Sequence, residues 1–309
     1  MSTQLHAVTS IDLPNLEKIA TGKVRELYKL DEGTLLMAVT DRISAYDVVL
    51  ETGIPEKGAV LCQISAHWFN VLAKAVPELK HHVLSLQPPS QGLSTIEFEA
   101  LKGRCLQIRK LKVFPIEAIV RGYLTGSAWK EYQTSGTVHG DKQAEGLRLS
   151  SAFPEPIFTP STKAEQGDSD ENISRARAAE IIGAKYAEKI ETLALRLYTV
   201  ARDYAAERGI ILADTKFEFG LDEATDEVIL VDEVLTPDSS RFWPAPVKVG
   251  VDQPSFDKQF VRDYLTEKGL KGKTGVELPA TVVEETRAKY KEVFEKLTGK
   301  SLENTLAAL

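Results

Sequence analysis

A predicted β-hairpin at residues 210–234 constrains the fold of this chain more than any other segment. Its two arms are rich in β-branched and apolar residues, and the residues between the arms have the composition of a turn. Because alternate residues of a strand share a face, Asp214, Lys216 and Glu218 are predicted to point the same way. The sequence therefore predicts three ionisable side chains on one face of a sheet, in otherwise apolar surroundings.

The position of the turn decides which residue lies opposite Glu218. A turn centred near Thr225 places Glu218 opposite Asp232, where two carboxylates would lie about 4.5–5.5 Å apart at Cβ and repel each other. A cation between them removes the repulsion, and Mg²⁺, which takes hard oxygen ligands, usually arrives with the phosphates of a nucleotide. We therefore predict a magnesium site at Glu218 and Asp232. A shift of one residue would bring Glu233 round instead, and a solvated strand face with incidental charges is the alternative.

Length and charge exclude several classes of protein. The chain has 309 residues, enough for a large core and two or three subdomains, and its formal net charge is −7. A nucleic-acid-binding protein normally carries a basic excess, no apolar run is long enough to span a membrane, and the first residues lack the features of a signal peptide. We expect a cytoplasmic protein, a monomer or a small homo-oligomer, with Cys62 and Cys105 as reduced, packed thiols and no nucleic-acid or membrane partner.

The pattern of apolar residues divides the chain into three predicted parts. Residues 1–115 have the signals of a β-rich lobe with one helix, at about residues 59–76. Residues 116–245 are predicted to form an α+β lobe that contains the hairpin and the chemistry. Residues 246–309 end in amphipathic helices, to which we assign a packing role.

Two long segments inside the second part behave differently. Residues 133–172 are rich in Gly, Pro, Ser and Thr and carry little periodicity; a loop of this length is usually functional or disordered, and its charged end favours function. Residues 174–208 show helical periodicity with a break at Gly183, and Gly209 supplies the stop signal.

The N-terminal part carries two short polar segments. Residues 21–25 are not a Walker loop, but a glycine and a cation, Gly22 and Lys23, at the head of a hairpin can cover nucleotide phosphates as kinase-like folds do. Residues 41–47 follow a buried strand, and polar clusters at strand ends often bind ligands. The alternatives are an ordinary strand start for the first segment and a capped turn for the second.

Two arginine-containing segments in the second part have the composition of a phosphate site. Residues 121–127 combine Arg121 with two glycines and two hydroxyls, so that backbone N–H groups and a guanidinium can approach an anion. A helix starting at Ser127 would add its positive end. Arg241 follows the hairpin directly, so the two arginines could grip a phosphomonoester from two sides. The alternatives are a glycine turn with an exposed arginine and a proline turn with an aromatic core anchor.

Six segments together resemble one family, SAICAR synthetase (phosphoribosylaminoimidazole-succinocarboxamide synthase), and most closely its longer, single-function form known from fungi. The segments occur in the family's order and span roughly residues 15–245. They are GKVR at 22–25, DRISAYD at 41–47, RGYLTGS at 121–127, KAEQGDSDEN at 163–172, DTKFEFG at 214–220 and VDEVLTPDSSR at 231–241.

The resemblance implies a fold, a reaction and a set of site residues. The implied fold is α+β, a two-lobed ATP-grasp or kinase-like architecture with antiparallel sheets, ATP between the lobes and C-terminal helices. The implied reaction joins L-aspartate to the carboxylate of carboxyaminoimidazole ribotide (CAIR) and yields SAICAR, ADP and phosphate. The implied ATP contacts are Gly22, Lys23, Arg25 and Glu218, and the implied magnesium ligands are Glu218 and Asp232. The implied substrate contacts are Asp41, Ser44, Arg121, Ser127, Asp170, Asp238 and Arg241, and the implied catalytic residues are Asp214, Lys216 and Lys163.

More specific roles follow from the same resemblance. Arg121, Ser127 and Arg241 would hold the ribotide phosphate, whereas Asp41 and residues 163–170 would border the reacting carboxylate and the aspartate pocket. A small-molecule kinase with the same ATP–magnesium site is the alternative enzyme. A non-catalytic nucleotide sensor is a third interpretation, disfavoured because the acidic and basic site residues are all present.

Overall fold

The structure, a computed structural model, describes residues 6–163 and 170–309. It divides the chain into two compact units rather than three consecutive parts. The first unit comprises Met1–His67, His82–Leu111 and Asp257–Leu309, and the second comprises Trp68–His81 and Lys112–Phe256.

The secondary structure is mixed. The strands are β1 (Glu17–Thr21), β2 (Arg25–Lys29), β3 (Thr34–Val39), β4 (Ser44–Ala45), β5 (Val48–Val49), β6 (Val83–Ser85), β7 (Cys105–Arg109), β8 (Lys112–Val113), β9 (Ile116–Tyr123), β10 (Thr137–Val138), β11 (Asp141–Lys142), β12 (Ala152–Phe158), β13 (Ser161–Thr162), β14 (Ile210–Asp222), β15 (Glu227–Val231) and β16 (Ser240–Pro244). The helices are α1 (Lys57–Ala75), α2 (Thr95–Leu101), α3 (Gly126–Ser135), α4 (Arg175–Ile182), α5 (Ala184–Ala206), α6 (Gln259–Glu267), α7 (Ala280–Thr298) and α8 (Leu302–Ala307). Pairing between these strands is antiparallel throughout, as predicted.

The first unit is built on a five-stranded sheet in the order β1-β2-β3-β7-β6. The hairpin expected after Gly22 and Lys23 is formed by β2 and β3, and in its tight turn the Gly33 N–H donates to Asp31 Oδ1 at 2.8 Å. The predicted helix at residues 59–76 is confirmed as α1, whose buried stripe includes Ile64 and Leu72. Ala75, at the last position of the helix, is exposed.

The C-terminal helices share a core with the N-terminal part of the chain, which explains why the predicted three-part division differs from the observed one. Ile43, Leu50 and Ile54 pack in one buried cluster with residues of α6 and α7, among them Val261 and Val282. Residues distant in sequence therefore bury a common apolar surface, and this long-range contact leaves no signal in local composition.

The second unit is built on a seven-stranded sheet whose central path is β12-β9-β14-β15. β14 is its longest strand and pairs with β9, β15, β16 and β8. The predicted helical block is confirmed as α4 and α5, separated at Gly183. α5 packs on the sheet, where the Tyr198 hydroxyl donates to the Leu212 carbonyl at 2.6 Å. The sheet thus has a helix behind β14 and leaves the charged side chains of β14 for the candidate site.

The segment predicted as a long loop at residues 133–172 contains four strands. β12 pairs with β9, with Ile157 opposite Arg121 and an irregular register between Ala152 and Ile157. Pro154 and Pro156 lie inside β12 and suppress the strand signal in the sequence, but prolines are tolerated in an edge strand because one side of it needs no hydrogen-bond donors. Residues 164–169 of the predicted functional loop lie outside the described residues.

The two cysteines lie in the interior of the protein. Cys62 and Cys105 are free and buried, as predicted, and burial raises the pKa of the Cys105 thiol to about 12. In the described parts of the chain, no helix combines the length and the apolar character needed to cross a membrane.

Candidate active site

The observed hairpin register differs by one residue from the predicted one. β14 and β15 pair Glu218 with Val231 and Asp222 with Glu227, so the turn is centred between Ala224 and Thr225. The predicted opposition of Glu218 and Asp232 is therefore wrong. The turn is four residues long, and its composition alone does not fix the centre to within one residue.

The carboxylate next to Glu218 belongs to β9, another strand that pairs with β14. Pairing of β14 with β9 places Phe217 opposite Ala118, so the next position along brings Glu218 beside Glu117. Lys216 Nζ donates to Glu117 Oε1 and to Glu218 Oε1, both at 2.7 Å. The cation between two carboxylates that the sequence analysis required is thus the ammonium group of Lys216.

Glu117 was missed as a site residue. The other residues of 116–120 are apolar, and a single carboxylate in a buried strand is itself a signal. Its side chain is only 10% exposed, and its second oxygen accepts a hydrogen bond of 3.0 Å from Ser161 Oγ of β13. β13 therefore supports the site from the far edge of β9.

Lys163 completes this cluster. Its ammonium group donates to Oε2 of Glu218, whereas Lys216 donates to Oε1 of the same carboxylate. The structure thus brings together three predicted residues, Lys163, Lys216 and Glu218, with Glu117 as the addition. Of the two lysines, Lys163 is the more exposed, at 39% of its side chain against 28% for Lys216.

The neighbouring charges determine the protonation states of Lys216 and Glu218. Burial acts against the charged form of Lys216, but Glu218, Glu117 and Asp232 together raise its pKa well above the usual value of 10.5. Burial also acts against the charged form of Glu218, yet Lys216 and Lys163 hold the pKa of that carboxyl well below its usual range. Lys216 and Glu218 are therefore both charged at neutral pH.

Asp232 belongs to the same cluster despite the register difference. It follows the last residue of β15 and has a backbone φ of 63°, in the left-handed region, so the chain changes direction at this residue. Its charge is one of the three that raise the pKa of Lys216. The Asp232 carboxylate therefore acts on the charge of Lys216 without lying opposite Glu218.

A second row of charges crosses three strands. Asp214 of β14 lies opposite Arg121 of β9 on one side and Arg241 of β16 on the other. Arg121 Nη1 donates to Asp214 Oδ2 at 3.0 Å, and Arg241 Nη1 donates to the same oxygen. One carboxylate thus holds two guanidinium groups, and this row carries a net positive charge.

The two arginines differ in exposure. Arg121 is an interior residue of β9, 5% exposed, which overturns the alternative of an exposed arginine in a glycine turn. It donates from Nε to Thr159 Oγ1 at 3.0 Å and from Nη2 to Ser127 Oγ at 3.3 Å. Burial and the neighbouring Arg241 lower the pKa of Arg121, and Asp214 opposes them. Arg241 is 25% exposed and presents the more accessible guanidinium.

The row of arginines meets the N-terminus of α3. Thr125 is the N-cap residue and makes no side-chain capping bond, so the first N–H groups of the helix are not capped by it. Gly126 has a φ of +60°, and a Cβ built on it would lie 2.6 Å from Nη2 of Arg241. Only glycine therefore lets Arg241 lie against the helix start, where exposed Ser127 follows. Helix N–H groups, a guanidinium and a hydroxyl at one place can bind a phosphate.

The remaining predicted residues of this unit lie around the two rows. Asp238 is half-buried in the turn between β15 and β16, where its N–H donates to Thr236 Oγ1 at 3.2 Å. Asp170 is exposed and lies directly after the residues that the structure does not describe.

Gly22, Lys23, Arg25, Asp41 and Ser44 all lie in the first unit. Residues 22–25 form a turn closed by a hydrogen bond from the Gly22 N–H to the Arg25 carbonyl at 2.8 Å. Exposed Lys23 pairs with Asp47 at 2.6 Å. A Cβ on Gly22 would touch only the Arg25 carbonyl, at an ordinary distance of 3.6 Å, so the flexible glycine expected there is not a steric necessity.

Asp41 is fully buried, which contradicts its predicted contact with a substrate. It has no exposed surface, and its oxygens accept hydrogen bonds from the N–H groups of Val8 and Gly58, each at 2.8 Å, and from Arg104 at 3.0 Å. Ser44 is also buried, at 8% exposure. A carboxylate enclosed in this way ties three chain segments together and cannot contact a substrate.

Asp41→Ala is therefore expected to lower the free energy of unfolding by about 3 kcal/mol, because it leaves the partly buried Arg104 guanidinium and two N–H groups without their acceptor. Urea unfolding of the variant measures this. The KM values for the substrates should not change below the unfolding transition, and Asp12→Ala, at an exposed position, serves as the stability control. A raised KM with unaltered stability would restore the substrate-binding role.

A family model described as SAICAR synthetase matches residues 18–279. The chain is 53% identical over 304 residues to the phosphoribosylaminoimidazole-succinocarboxamide synthase of Saccharomyces cerevisiae, a match that covers 95% of this chain and 98% of that protein.

Two solved structures are similar over most of the chain. SAICAR synthase from Saccharomyces cerevisiae, complexed with SAICAR, has a TM-score of 0.87 and 51% identity, covering 95% of this chain and 99% of that one. SAICAR synthetase (type 2) in complex with ADP has a TM-score of 0.69 and 27% identity, covering 91% and 98%.

Proposed function

Because this chain belongs to the SAICAR synthetase family, we propose that it joins L-aspartate to the carboxylate of CAIR at the expense of ATP. The products are SAICAR, ADP and phosphate, and the reaction is a step of purine synthesis. One observation carries the assignment to this site: a single sheet face holds the accessible guanidinium of Arg241 in one row and the Lys216 ammonium in the next. A ribotide has a phosphate at one end and a reactive carboxylate at the other, and both need cations.

The phosphate of CAIR binds at the start of α3. Arg241 supplies the exposed guanidinium, Ser127 supplies a hydroxyl, and the first turn of the helix supplies N–H groups. Arg121 supports them from beneath, since it donates to Ser127 and shares Asp214 with Arg241. Asp214 is a positioning residue here, because it holds both guanidinium groups in place.

The carboxylate of CAIR lies at the lysine cluster. Lys216 has three N–H donors and uses two of them on Glu117 and Glu218, so its third can reach a substrate oxygen. Lys163 pairs with Glu218 but is exposed enough to turn toward an incoming anion. These two ammonium groups offset the negative charge of a carboxylate that receives a phosphoryl group.

The reaction needs an activated carboxylate because oxide is a poor leaving group. The terminal phosphoryl group of ATP moves to a carboxylate oxygen of CAIR, so its bond to ADP breaks and an acyl phosphate forms. The amine of aspartate then attacks the acyl carbon, the bond to phosphate breaks, and the amine proton passes to water. Phosphoryl transfer needs little covalent help from a protein, so Lys163 and Lys216 act by positioning and by neutralising charge.

The residues at Glu218 fit a magnesium ion that arrives with a nucleotide. Glu218 and Asp232 offer the hard oxygen ligands that Mg²⁺ takes, and both act on the same ammonium group. Over residues 6–163 and 170–309, no group of three His, Cys, Asp or Glu side chains forms a metal cage, which suits an ion held mainly by phosphates and water. Glu218 and Asp232 would hold the ion, with Lys163 leaving Glu218 for a phosphate oxygen. When bound, the ion would offset charge on the phosphates.

The phosphates of ATP contact the turn at residues 22–25 in this proposal. Lys23 is exposed there, and its partner Asp47 is exposed as well, so a phosphate can replace that carboxylate. Arg25 and Gly22 belong to the same turn. This part of the proposal implies the two-lobed, ATP-grasp-like architecture of the sequence analysis. Asp170 and Asp238 are assigned to substrate binding.

Phosphate release tests the function. Purified protein with Mg²⁺, ATP, CAIR and L-aspartate is expected to release free phosphate and form SAICAR in equal amounts, and omission of either CAIR or aspartate should stop both. Consumption of ATP with CAIR alone, with the phosphate retained on a stable product, would show a small-molecule kinase instead. Stabilisation by ATP with no turnover would show a nucleotide sensor.

A further inference from the structure

We propose that Arg42 is a positioning residue for ATP binding, because its guanidinium fixes the backbone of the turn at residues 22–25. The inference deepens the proposed function and rests on its assignment of that turn to the phosphates of ATP. Arg42 comes from the segment after β3, and its side chain is 14% exposed.

Three carbonyl groups of the turn accept hydrogen bonds from this one guanidinium. Nε donates to the Lys23 carbonyl at 2.9 Å, and Nη2 donates to the carbonyls of Gly22 at 2.9 Å and Arg25 at 3.3 Å. The fourth carbonyl of the turn, that of Val24, accepts from the N–H of Thr40 at 2.9 Å and from its hydroxyl at 2.8 Å. Every carbonyl of residues 22–25 is thereby turned toward the chain segment that follows β3.

The guanidinium is itself anchored from behind. Nη1 of Arg42 donates to the Thr9 carbonyl at 2.8 Å and to Glu26 Oε1 at 2.7 Å. Glu26 is almost fully buried and also accepts from the Thr21 hydroxyl at 2.7 Å. Burial opposes the charged form of Glu26, but Thr21 and Arg42 hold the pKa of its carboxyl below the usual value. Arg42 therefore pairs with the Glu26 carboxylate, which is ionised and held in place by its own hydrogen bonds.

These contacts give Arg42 an indirect role. An arginine has five N–H donors, and the contacts above use all five. The side chain therefore has no donor left for a phosphate and acts through the turn. Carbonyl oxygens repel phosphate oxygens, so a turn with its carbonyls held away leaves its outer side to the exposed cation of Lys23.

Arg42→Lys tests this role, because a lysine keeps the charge but has three donors at one point and cannot reproduce the planar set. We expect KM for ATP and Kd for ADP to rise about tenfold, the loss of roughly one hydrogen bond to a charged group. KM for CAIR and kcat at saturating ATP should not change. Arg262→Lys in α6, another partly buried arginine of the same unit, is the matched control.

A calorimetric titration with ADP separates this inference from the proposed function, because it needs no ligation. If Lys23→Ala weakens ADP binding and Arg42→Lys does not, the positioning role is overturned. If Arg42→Lys weakens ADP binding in a protein that shows no SAICAR formation, the role stands and the proposed function fails. Glu26→Gln, which removes the anchor but leaves Arg42, should weaken ADP binding in the same direction, and it decides the matter should Arg42→Lys not fold.

Discussion

Lys216→Met is expected to lower kcat by about a hundred- to a thousandfold, the cost of removing one preorganised group that stabilises developing charge. The substitution keeps the length of the side chain and removes the ammonium group that lies between Glu117 and Glu218. Two neighbouring carboxylates then lose their common cation. They repel each other and also the carboxylate of CAIR, so the proposed transfer of a phosphoryl group to that carboxylate meets uncompensated negative charge.

Steady-state kinetics with saturating ATP, CAIR and aspartate measure this effect. Lys142→Met, at an exposed position of β11 in the same unit, should retain full activity. Circular dichroism and thermal unfolding of the Lys216→Met variant establish that the sheet is intact. A folded variant with near-normal kcat would show that the ammonium group of Lys216 has no part in the chemistry.

Arg241→Ala is expected to raise KM for CAIR about ten- to a hundredfold, with a smaller effect on kcat. Hydrogen bonds to charged groups contribute about 1.5–3 kcal/mol, and Arg241 carries the more exposed guanidinium at the proposed phosphate site. Its removal leaves Arg121 paired with Asp214, so neither of these two buried charges loses its last partner.

The substrate whose KM changes in this variant shows which ligand Arg241 binds. KM for ATP should remain that of the unaltered protein, because the proposed nucleotide contacts lie at residues 22–25. Arg202→Ala, on α5 and paired with the adjacent Asp203, is the matched arginine control and should bind CAIR normally. An increase in KM confined to ATP would count against the phosphate-binding role of Arg241.

Much of the site was predictable because it lies on one strand. Alternation along β14 correctly places Lys216 and Glu218 on one face, as their hydrogen bond shows. The family resemblance was also confirmed over most of the chain. Strand periodicity is local information, and it survives in the sequence whatever the strand packs against.

The errors arose where the answer depends on a second chain segment. The predicted neighbour of Glu218 lies on the next strand in sequence, after β15, whereas the observed neighbouring carboxylate, Glu117, lies on β9. Likewise, the position of Asp41 at a strand end predicts a ligand group, but Val8, Gly58 and Arg104, all remote in sequence, hydrogen-bond to its carboxylate. Neither contact has a local signature, because a sheet can place distant strands side by side in many orders.

A crystal structure of this protein with SAICAR bound would test most directly the claim that one face of the β9-β14-β16 sheet orients the ribotide. The account predicts the phosphate at the start of α3, within hydrogen-bond distance of Arg241 and Ser127, and the newly formed amide beside Lys216. A phosphate bound away from Arg241, or a ligand lying in the opposite direction with its phosphate at Lys216, would contradict it.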